Sequence, residues 1–330
     1  KMSWSIIYCP NEGGHRRWKK IRRYLEERGV DYDYVQSDGP GAVERLASMM
    51  ARHGVRNIIV VGGDAALSHA LCGIVRSGVP REEWPRLGVI PGGYGNDFAR
   101  YWGMEIGRYK ETIDHLIEER VRRIDIGVLR ILPNTAVPTK RAAYRELAMR
   151  IGMVRERVEP LQEEYFLNCL NIGTVASIVD FHRSVAKVAS KMWGLHPLAY
   201  LFGTIAMLFR RKRFHYKFTT GGEHVDRYGM TLCIGSAHGY GQTPSAVPYN
   251  GQLDLSLVSH PRLTHLFHGL WLLYTGRFLG HRGVSVWRSR HIRFDEGMRH
   301  APMSLDGRVI TTPEGPFEVT ILPEAIDFLY

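Results

Sequence analysis

The first 125 residues alternate short apolar runs with longer amphipathic stretches. Four runs rich in β-branched or apolar residues, each bounded by Gly, Pro, Asn or Asp, predict strands at residues 6–8, 32–36, 57–61 and 87–90. Between them apolar residues recur at helical spacing, as in Trp18, Ile21 and Leu25. Because parallel neighbours need a crossover connection, this alternation predicts a doubly wound parallel α/β sheet.

The pattern changes after residue 125. Strand candidates separated by Gly and turn residues follow at 166–172, 214–219, 230–234, 253–258, 284–287 and 317–322. Two helical segments, near 184–209 and 263–279, interrupt them. Short strands between turn residues predict a second domain that is mostly antiparallel β.

A charged segment at residues 133–164 separates the two patterns. It is rich in Arg and Glu and has a helical pattern from residue 141 to residue 164, which predicts a helical insertion. Three interpretations stay open for it: a solvated charged helix, an element for homodimer formation, or an element that docks on a membrane.

Composition and charge narrow the class of protein. The chain has 330 residues, of which 44% are hydrophobic and 23% charged, values close to the globular average that exclude disordered and fibrous classes. That length suits two domains. The net charge of +11 predicts attraction to nucleic acid, to a lipid headgroup layer or to a phosphorylated small molecule. No motif for reading nucleic acid accompanies the cations, so nucleic acid is not the expected partner.

Cysteine spacing and apolar segments bear on the compartment. The four cysteines, at positions 9, 72, 169 and 233, are too far apart for zinc-type spacing, which favours a reducing cytoplasm. The N-terminal residues run directly into a strand pattern and show no leader pattern. Residues 192–209 carry no formal charge and precede four cations at 210–213. A membrane-spanning helix, an interfacial helix and a buried core helix are the three interpretations of that segment.

Two glycine-rich segments follow neighbouring predicted strands. Gly62, Gly63 and Asp64 come after the third strand, and a helix begins at about Ala65. The fourth strand leads into the segment from Gly92 to Asp97 and a short helix. Tight glycine turns before helix N-termini suit a polyphosphate, and paired turns would line the crevice at the carboxyl ends of the strands. The alternative is that the glycines only form turns and the Asp and Asn residues only cap helices.

On these motifs the sequence resembles the diacylglycerol kinase catalytic family, which includes bacterial soluble lipid kinases, sphingosine kinases and ceramide kinases. The family motifs appear here in order at residues 9–13, 62–66, 91–100, 244–251 and 306–308. The resemblance implies an α/β nucleotide-binding domain over 1–125 and a β-sandwich domain for the lipid substrate over 126–322, with the helical insertion at 133–164. Completion of the first domain by residues 323–330 is left open.

The resemblance further implies ATP and Mg²⁺ in the cleft between the domains. The residues that match the nucleotide-binding positions are Cys9, Asn11, Gly62, Gly63, Asp64, Ala65, Gly92, Gly93, Tyr94, Gly95, Asn96, Asp97 and Asp125. Asp64 matches a residue that holds the magnesium of the nucleotide, and Asn250 stands at the position of a structural magnesium ligand. Asp306 matches the general base that accepts the proton of the lipid hydroxyl, and Arg308 follows it on the expected same side of a strand.

This sequence departs from the family motifs at several of these positions. Cys9 replaces an Asn, Ala65 and Ala66 replace a Gly-Thr pair, and Tyr94 replaces a small hydroxyl residue. Ala65 would place a Cβ atom where the backbone needs positive φ. Asn250 replaces an Asp and Arg308 replaces a Glu. These changes point to altered nucleotide geometry, a different substrate or a loss of activity.

The function expected from the resemblance is ATP-dependent transfer of the γ-phosphoryl group to a lipid hydroxyl of diacylglycerol or sphingoid type. A catalytically weak or inactive pseudokinase and an NAD kinase-like enzyme are the alternatives. The lipid would be reached from the cytoplasm at the anionic inner face of a membrane, through residues 192–209 or through an aromatic stripe at 266–278. The alternative for the aromatic stripe is a core helix.

Overall fold

The computed structural model describes residues 3–93, 95–133, 162–189, 205–206, 210, 212–259 and 263–330. Within these ranges the strands join into one mixed sheet whose two ends differ in character. One end is parallel and flanked by helices, and the other is antiparallel. The doubly wound α/β half and the β-rich half predicted from the sequence are therefore both present.

The parallel end contains four strands in the order β4-β3-β1-β2. These strands are β1 (Ser3–Tyr8), β2 (Asp31–Gln36), β3 (Asn57–Gly62) and β4 (Arg86–Pro91). The helices between and after them are α1 (Pro10–Glu27), α2 (Pro40–Arg52), α3 (Asp64–Val75), α4 (Asp97–Tyr101) and α5 (Tyr109–Ile117). The predicted helical face of Trp18, Ile21 and Leu25 is buried in the core of this half.

The antiparallel end has its own apolar core, built around Phe166, Tyr216, Phe218, Phe294 and Phe317. Its strands are β5 (Val121–Ile131), β6 (Gln162–Phe166), β7 (Cys169–Gly173), β8 (Phe214–Thr220), β9 (Glu223–Gly235), β10 (Leu253–Ser259), β11 (Val284–Ser289), β12 (His291–Phe294), β13 (Met303–Leu305), β14 (Arg308–Ile310) and β15 (Phe317–Leu329). Two further helices are α6 (Thr174–Ala189) and α7 (Leu263–Tyr274). Among the described residues, none of the helices combines the length and hydropathy needed to cross a bilayer.

Three local predictions were wrong in their bounds. Gln162, Glu163 and Glu164, assigned to the end of the helical insertion, lie in β6, because pairing of this segment with β5 overrides the helix preference of Gln and Glu. The strand predicted at 166–172 is the end of β6 and the start of β7, separated by Leu167 and Asn168. The helix expected from residue 184 begins at Thr174. Most of the insertion and of the uncharged segment 192–209 lies outside the described residues.

The last strand, β15, connects the two halves. It pairs with β5 along most of its length and reaches β4 in parallel at Phe328. Its register with β5 shifts between Leu322 and Ile326. Ala325, Ile326 and Phe328 beyond this bulge belong to the core of the α/β half. One strand therefore contributes to both cores.

Asp125 fixes the backbone at this bulge. Its carboxylate accepts a 2.8 Å hydrogen bond from the Glu324 N–H and a 2.7 Å hydrogen bond from the Gly251 N–H. Its own N–H donates to the carbonyl of Pro248 at 2.7 Å. The residue is fully buried, and burial raises the pKa of its carboxyl group. Asp125 thus joins β5, the β15 bulge and the loop before β10.

We expect Asp125→Ala to lower the free energy of unfolding by about 1–3 kcal/mol for the buried Gly251 donor alone, because that N–H loses its acceptor. The matched control is Asp295→Ala, which removes an exposed carboxylate and should change stability by less than about 0.5 kcal/mol. Denaturant unfolding followed by circular dichroism measures both. Equal midpoints for the two variants would contradict this role of Asp125.

Candidate active site

The two glycine-rich turns meet at the carboxyl ends of β3 and β4. Gly62 and Pro91 are register partners at the end of this parallel pair. The Gly92 N–H donates to the Gly62 carbonyl at 3.0 Å, and the Asp64 N–H donates to the Gly95 carbonyl at 2.8 Å. The turns therefore contact each other, as their positions after neighbouring strands predict.

Asp64 connects the start of α3 to the start of α4. Its two carboxylate oxygens accept hydrogen bonds from the N–H groups of Asp97 (2.9 Å) and Phe98 (3.1 Å). Burial, together with the nearby charges of Asp306 and Asp97, raises the pKa of this carboxyl group to about 7 although the two N–H donors oppose the shift. Asp64 thus caps α4 with its side chain. The helix to which Asp64 itself belongs, α3, has a glycine as its N-cap and no side-chain cap from that residue.

Asp97 reaches from the α/β half to the β half. One of its oxygens accepts hydrogen bonds from the Asn168 side-chain amide (2.9 Å) and from the Tyr240 N–H (2.8 Å). The Asn168 side-chain oxygen in turn accepts from the Gly239 N–H at 2.9 Å. Asn168 is fully buried and was missed in the sequence analysis. A polar residue between two strongly apolar strand segments was the signal for it.

Asp306 occupies the turn between β13 and β14. It has a positive φ of 46°, as does Gly307 at 76°, so the pair forms a two-residue hairpin turn. The buried carboxylate accepts hydrogen bonds from the N–H groups of Leu167 (2.7 Å), Asn168 (2.9 Å) and Cys169 (2.9 Å). Burial raises the pKa of Asp306, although these three donors oppose the shift. The turn and the β6–β7 connection are therefore fixed to each other.

The structure brings Asp64, Asp97 and Asp306 together at one place. The charges of Asp97 and Asp306 both act on the pKa of Asp64, and Asn168 links Asp97 to the segment held by Asp306. Asp125 lies with the β15 bulge and bonds to Gly251 and Glu324. Three of the four predicted aspartates thus lie close together, and the fourth, Asp125, lies apart from them at the β15 bulge.

The other predicted nucleotide positions surround the same turns. Cys9 is buried at the start of α1, and its N–H donates to the Val61 carbonyl at 3.0 Å. Asn96 hydrogen-bonds with both backbone groups of Gly93. Ala65 lies in the first turn of α3, so the expected need for positive φ at this position was wrong. Tyr94 and the side chain of Asn11 lie outside the described residues.

Arg308 points to α3 and β6 rather than to Asp306. Its guanidinium donates to the Glu164 carboxylate (2.9 Å), the Ser68 hydroxyl (3.1 Å) and the Tyr165 carbonyl (3.2 Å). Although burial opposes it, the positive charges of Arg308 and Arg76 hold the pKa of Glu164 below its usual value. The expected same-side arrangement with Asp306 was wrong because Asp306 is in the turn and not in the strand.

The contacts of the acidic residues do not fit a magnesium ion held by the protein itself. The carboxylates of Asp64, Asp97, Asp125 and Asp306 accept hydrogen bonds from protein N–H groups. The Asn250 side-chain oxygen accepts from the Gln252 N–H at 2.9 Å. Within the described parts of the chain, no three His, Cys, Asp or Glu side chains form a group suited to a metal ion.

Comparison with known proteins gives the class of this fold. Residues 4–129 match the family model of the diacylglycerol kinase catalytic domain, and residues 173–330 match that of the YegS C-terminal NAD kinase beta sandwich-like domain. The chain therefore belongs to the diacylglycerol kinase catalytic family, with a β-sandwich domain following its α/β domain. Its members include proteins named as lipid kinases and diacylglycerol kinases.

Individual relatives match over most of their length. YtlR of Bacillus subtilis (strain 168) is 24% identical in an alignment of 339 positions, gaps included, that covers 98% of either chain. The diacylglycerol kinase of Mycobacterium tuberculosis (strain H37Rv) is 25% identical over 278 residues, 82% of this chain and 77% of its own. A crystal structure of a diacylglycerol kinase from Bacillus anthracis str. Sterne has the same fold, with a TM-score of 0.62, 16% identity and coverage of 99% and 96%.

We expect Arg308→Met to lower the free energy of unfolding by about 1–3 kcal/mol, because the partly buried Glu164 carboxylate loses its closest cation and keeps only Arg76, at 3.2 Å. The double variant Arg308→Met with Glu164→Gln should recover part of this loss, since residue 164 then carries no charge that needs a second cation. Denaturant unfolding of the single and double variants gives the coupling between the two residues.

The matched control for this pair is Arg299→Met. Arg299 forms an exposed ion pair with Glu314 at 3.1 Å, so its removal should change stability by less than about 1 kcal/mol. If Arg308→Met unfolds at the same midpoint as Arg299→Met, Arg308 is not the buried connection between β14, β6 and α3.

Proposed function

We propose that this protein is a lipid kinase that transfers the γ-phosphoryl group of ATP to a hydroxyl group of a lipid at a membrane surface. The observation that carries the proposal is the meeting of Asp64, Asp97 and Asp306 where two glycine-rich strand-to-helix turns face a turn of the β domain. The names of its relatives favour diacylglycerol as the first lipid to test.

The nucleotide phosphates fit best at the start of α3 and along the segment from Gly92 to Asp97. The N-cap residue Gly63 has no side chain to cap α3, and the Asp64 N–H is taken by the Gly95 carbonyl, so the proposed phosphate site uses the next N–H groups of the first turn and the positive end of the helix dipole. Arg17, on α1, donates to the Gly92 carbonyl at 3.0 Å and adds a cation beside this loop. It was missed in the sequence analysis because it lies 75 positions away from Gly92.

Asp306 is the proposed acceptor for the proton of the lipid hydroxyl. Its raised pKa, caused by burial, makes it a stronger base than an exposed aspartate. The three backbone donors around it keep the carboxylate fixed while it accepts the proton. Enzymes accelerate phosphoryl transfer mainly by positioning the reactants and by electrostatic stabilisation, so we expect the proton acceptor to be held rigidly.

The lipid is proposed to arrive through an anionic bilayer that contacts α7. Phe267, Trp271 and Tyr274 lie at helical spacing on one face, with 62%, 63% and 86% of their surface exposed. Arg277 and Arg282 follow the helix and are also exposed. Aromatic side chains next to cations suit the interface of a membrane with an anionic leaflet.

A second candidate is a protein that binds the nucleotide or the lipid without turnover. It is favoured by one observation: Asp306, the proposed base, already accepts hydrogen bonds from three protein N–H groups. Such a carboxylate is well suited to a structural role. Turnover with a defined lipid distinguishes the two candidates.

For the kinase we expect labelled phosphate to pass from γ-labelled ATP to a lipid in vesicles that contain diacylglycerol, monoacylglycerol, sphingosine or ceramide. Asp306→Asn should lower kcat by about 100-fold or more, because the proton acceptor is lost. Asp295→Asn, an exposed carboxylate, is the control, and thermal unfolding of all proteins shows that they are folded.

Three outcomes of the labelling experiment would contradict the proposal. No labelled lipid with the wild-type protein would leave the binding protein as the function. Full activity of Asp306→Asn would remove Asp306 from the reaction. Transfer of the label to NAD, supplied in a parallel reaction, would assign the protein to the NAD kinase-like class.

For the membrane contact we expect the double variant Trp271→Ser and Tyr274→Ser to bind vesicles containing phosphatidylglycerol about tenfold more weakly or worse, because two aromatic side chains no longer enter the interface. Co-sedimentation measures the binding. Tyr228→Ser, which removes another exposed aromatic ring, is the control. Equal binding of the wild type to pure phosphatidylcholine vesicles, or no loss in the double variant, would contradict the contact.

A further inference from the structure

Tyr240 has an unusual backbone conformation beside the candidate active site. It has a φ of 56° and lies between Gly239 and Gly241, whose φ angles of 56° and 83° are also positive. A non-glycine residue in this region is strained, so the surrounding structure must hold it there. The holding contacts are the hydrogen bond from the Tyr240 N–H to Asp97 (2.8 Å) and that from the Gly239 N–H to Asn168 (2.9 Å).

This conformation directs the hydroxyl group of Tyr240 between the two domains. A Cβ atom placed on Gly307, next to Asp306, would lie 3.1 Å from the Tyr240 hydroxyl oxygen. A Cβ atom placed on Gly95 would lie 3.9 Å from the same oxygen and 3.5 Å from an Asp64 carboxylate oxygen. The hydroxyl therefore lies between the Gly92–Asp97 loop, which is proposed to hold the nucleotide, and the β13–β14 turn, which carries the proposed proton acceptor Asp306.

The hydroxyl group is available to a ligand. The Tyr240 hydroxyl makes no hydrogen bond to another residue that the structure describes, and the one hydrogen bond of Tyr240 there is that of its N–H. The residue as a whole is partly exposed. Burial, followed by the negative charges around Asp64 and Asp306, raises the pKa of this phenol well above its usual value. At neutral pH it is an uncharged hydrogen-bond donor in the middle of an acidic cluster.

We propose that Tyr240 is a further catalytic residue, whose hydroxyl group donates a hydrogen bond to an oxygen of the phosphoryl group during its transfer. The proposal rests on the proposed function and deepens it. In the reaction the γ-phosphorus forms a bond to the lipid oxygen while its bond to the β-phosphate bridging oxygen breaks. The proton of the lipid hydroxyl passes to Asp306, ADP leaves with the bonding electrons, and Tyr240 keeps its own proton.

A neutral donor is the group that this position requires. An anionic phosphoryl group close to three carboxylates is repelled by them, and an additional cation is not provided by the Arg308 side chain, which bonds to Glu164. A phenol hydroxyl donates without adding charge and loses no interaction with the protein when the phosphoryl group arrives. Its donor strength increases as negative charge accumulates on the phosphoryl oxygens.

Tyr240→Phe tests this role, because it removes the hydroxyl oxygen and keeps the ring. We expect kcat to fall about 10- to 100-fold and KM for ATP to change less than about threefold, since the contact is made mainly in the transition state. Tyr228→Phe is the matched control, because Tyr228 is 56% exposed and stacks on His215 away from the site. Thermal unfolding of both variants should equal that of the wild type.

Three outcomes would overturn the proposal. A kcat of Tyr240→Phe equal to that of the wild type would show that the hydroxyl has no role in transfer. A Tyr240→Gly variant with a higher kcat than the wild type would show that the ring obstructs the site. If Tyr240→Phe lowers the free energy of unfolding by as much as it raises the activation free energy calculated from kcat, the role of the hydroxyl is structural, and the proposal is also overturned.

Nucleotide binding separates failure of this proposal from failure of the proposed function. If the wild-type protein labels no lipid, calorimetric titration with ATP and with ADP still tests the contact. We then expect the ratio of the two affinities to fall about twofold in Tyr240→Phe, because only ATP carries the γ-phosphoryl group and a small part of the contact is made before transfer. An unchanged ratio would overturn the role of Tyr240, whatever the reaction.

Discussion

The structure depends on buried carboxylates that accept hydrogen bonds from backbone N–H groups. A carboxylate removed from water is stable only where donors replace the lost hydration. Asp64 meets this need at α4, Asp306 at the β6–β7 connection and Asp125 at the β15 bulge. Each of these carboxylates thereby connects two segments that are distant in sequence. The acidic residues assigned to chemistry by resemblance are therefore also the residues that assemble the cleft.

Two independent routes hold the β13–β14 turn against the α/β half. One runs from Asp306 through Asn168 to Asp97. The other runs from Arg308, immediately after the turn, to Ser68 and Glu164. Ser68 lies on α3, the helix that begins at Asp64. The first route ends at the second glycine-rich turn, and the second reaches the helix that follows the first glycine-rich turn. Phosphoryl transfer needs donor and acceptor held in line, and a doubly fixed turn restricts the motion that would separate them.

The sequence predicted the features that follow from local chemistry. The β3 and β4 turns and the apolar face of α1 were correct because strand periodicity, glycine and helical spacing act locally. Arg308, Asn168 and Arg17 were misjudged or missed because their partners lie far away in the chain: Arg308 and Glu164 are 144 positions apart, and Asn168 and Asp97 are 71 apart. The start of β6 was assigned to a helix for the same reason, because its pairing partner β5 lies on the other side of the insertion in the sequence. The four aspartates were placed at one site only because of the resemblance to the family. In the structure three of them lie close together, and Asp125 lies at the β15 bulge.

In the proposed reaction an anionic nucleotide approaches three buried carboxylates, so their negative charge has to be moderated. Counting carboxylates overstates that charge, because burial and the neighbouring charges of Asp306 and Asp97 raise the pKa of Asp64 to about 7 and so favour its neutral form more than in water. The N–H donors around Asp306 spread its remaining charge over the backbone. Arg17 and the N-terminal end of α3 add positive potential on the side where the nucleotide is proposed to bind. Ala66 supplies no hydroxyl group at the start of this helix, and the neutral donor nearest to the Gly95 loop in the proposal is the Tyr240 hydroxyl of the β domain.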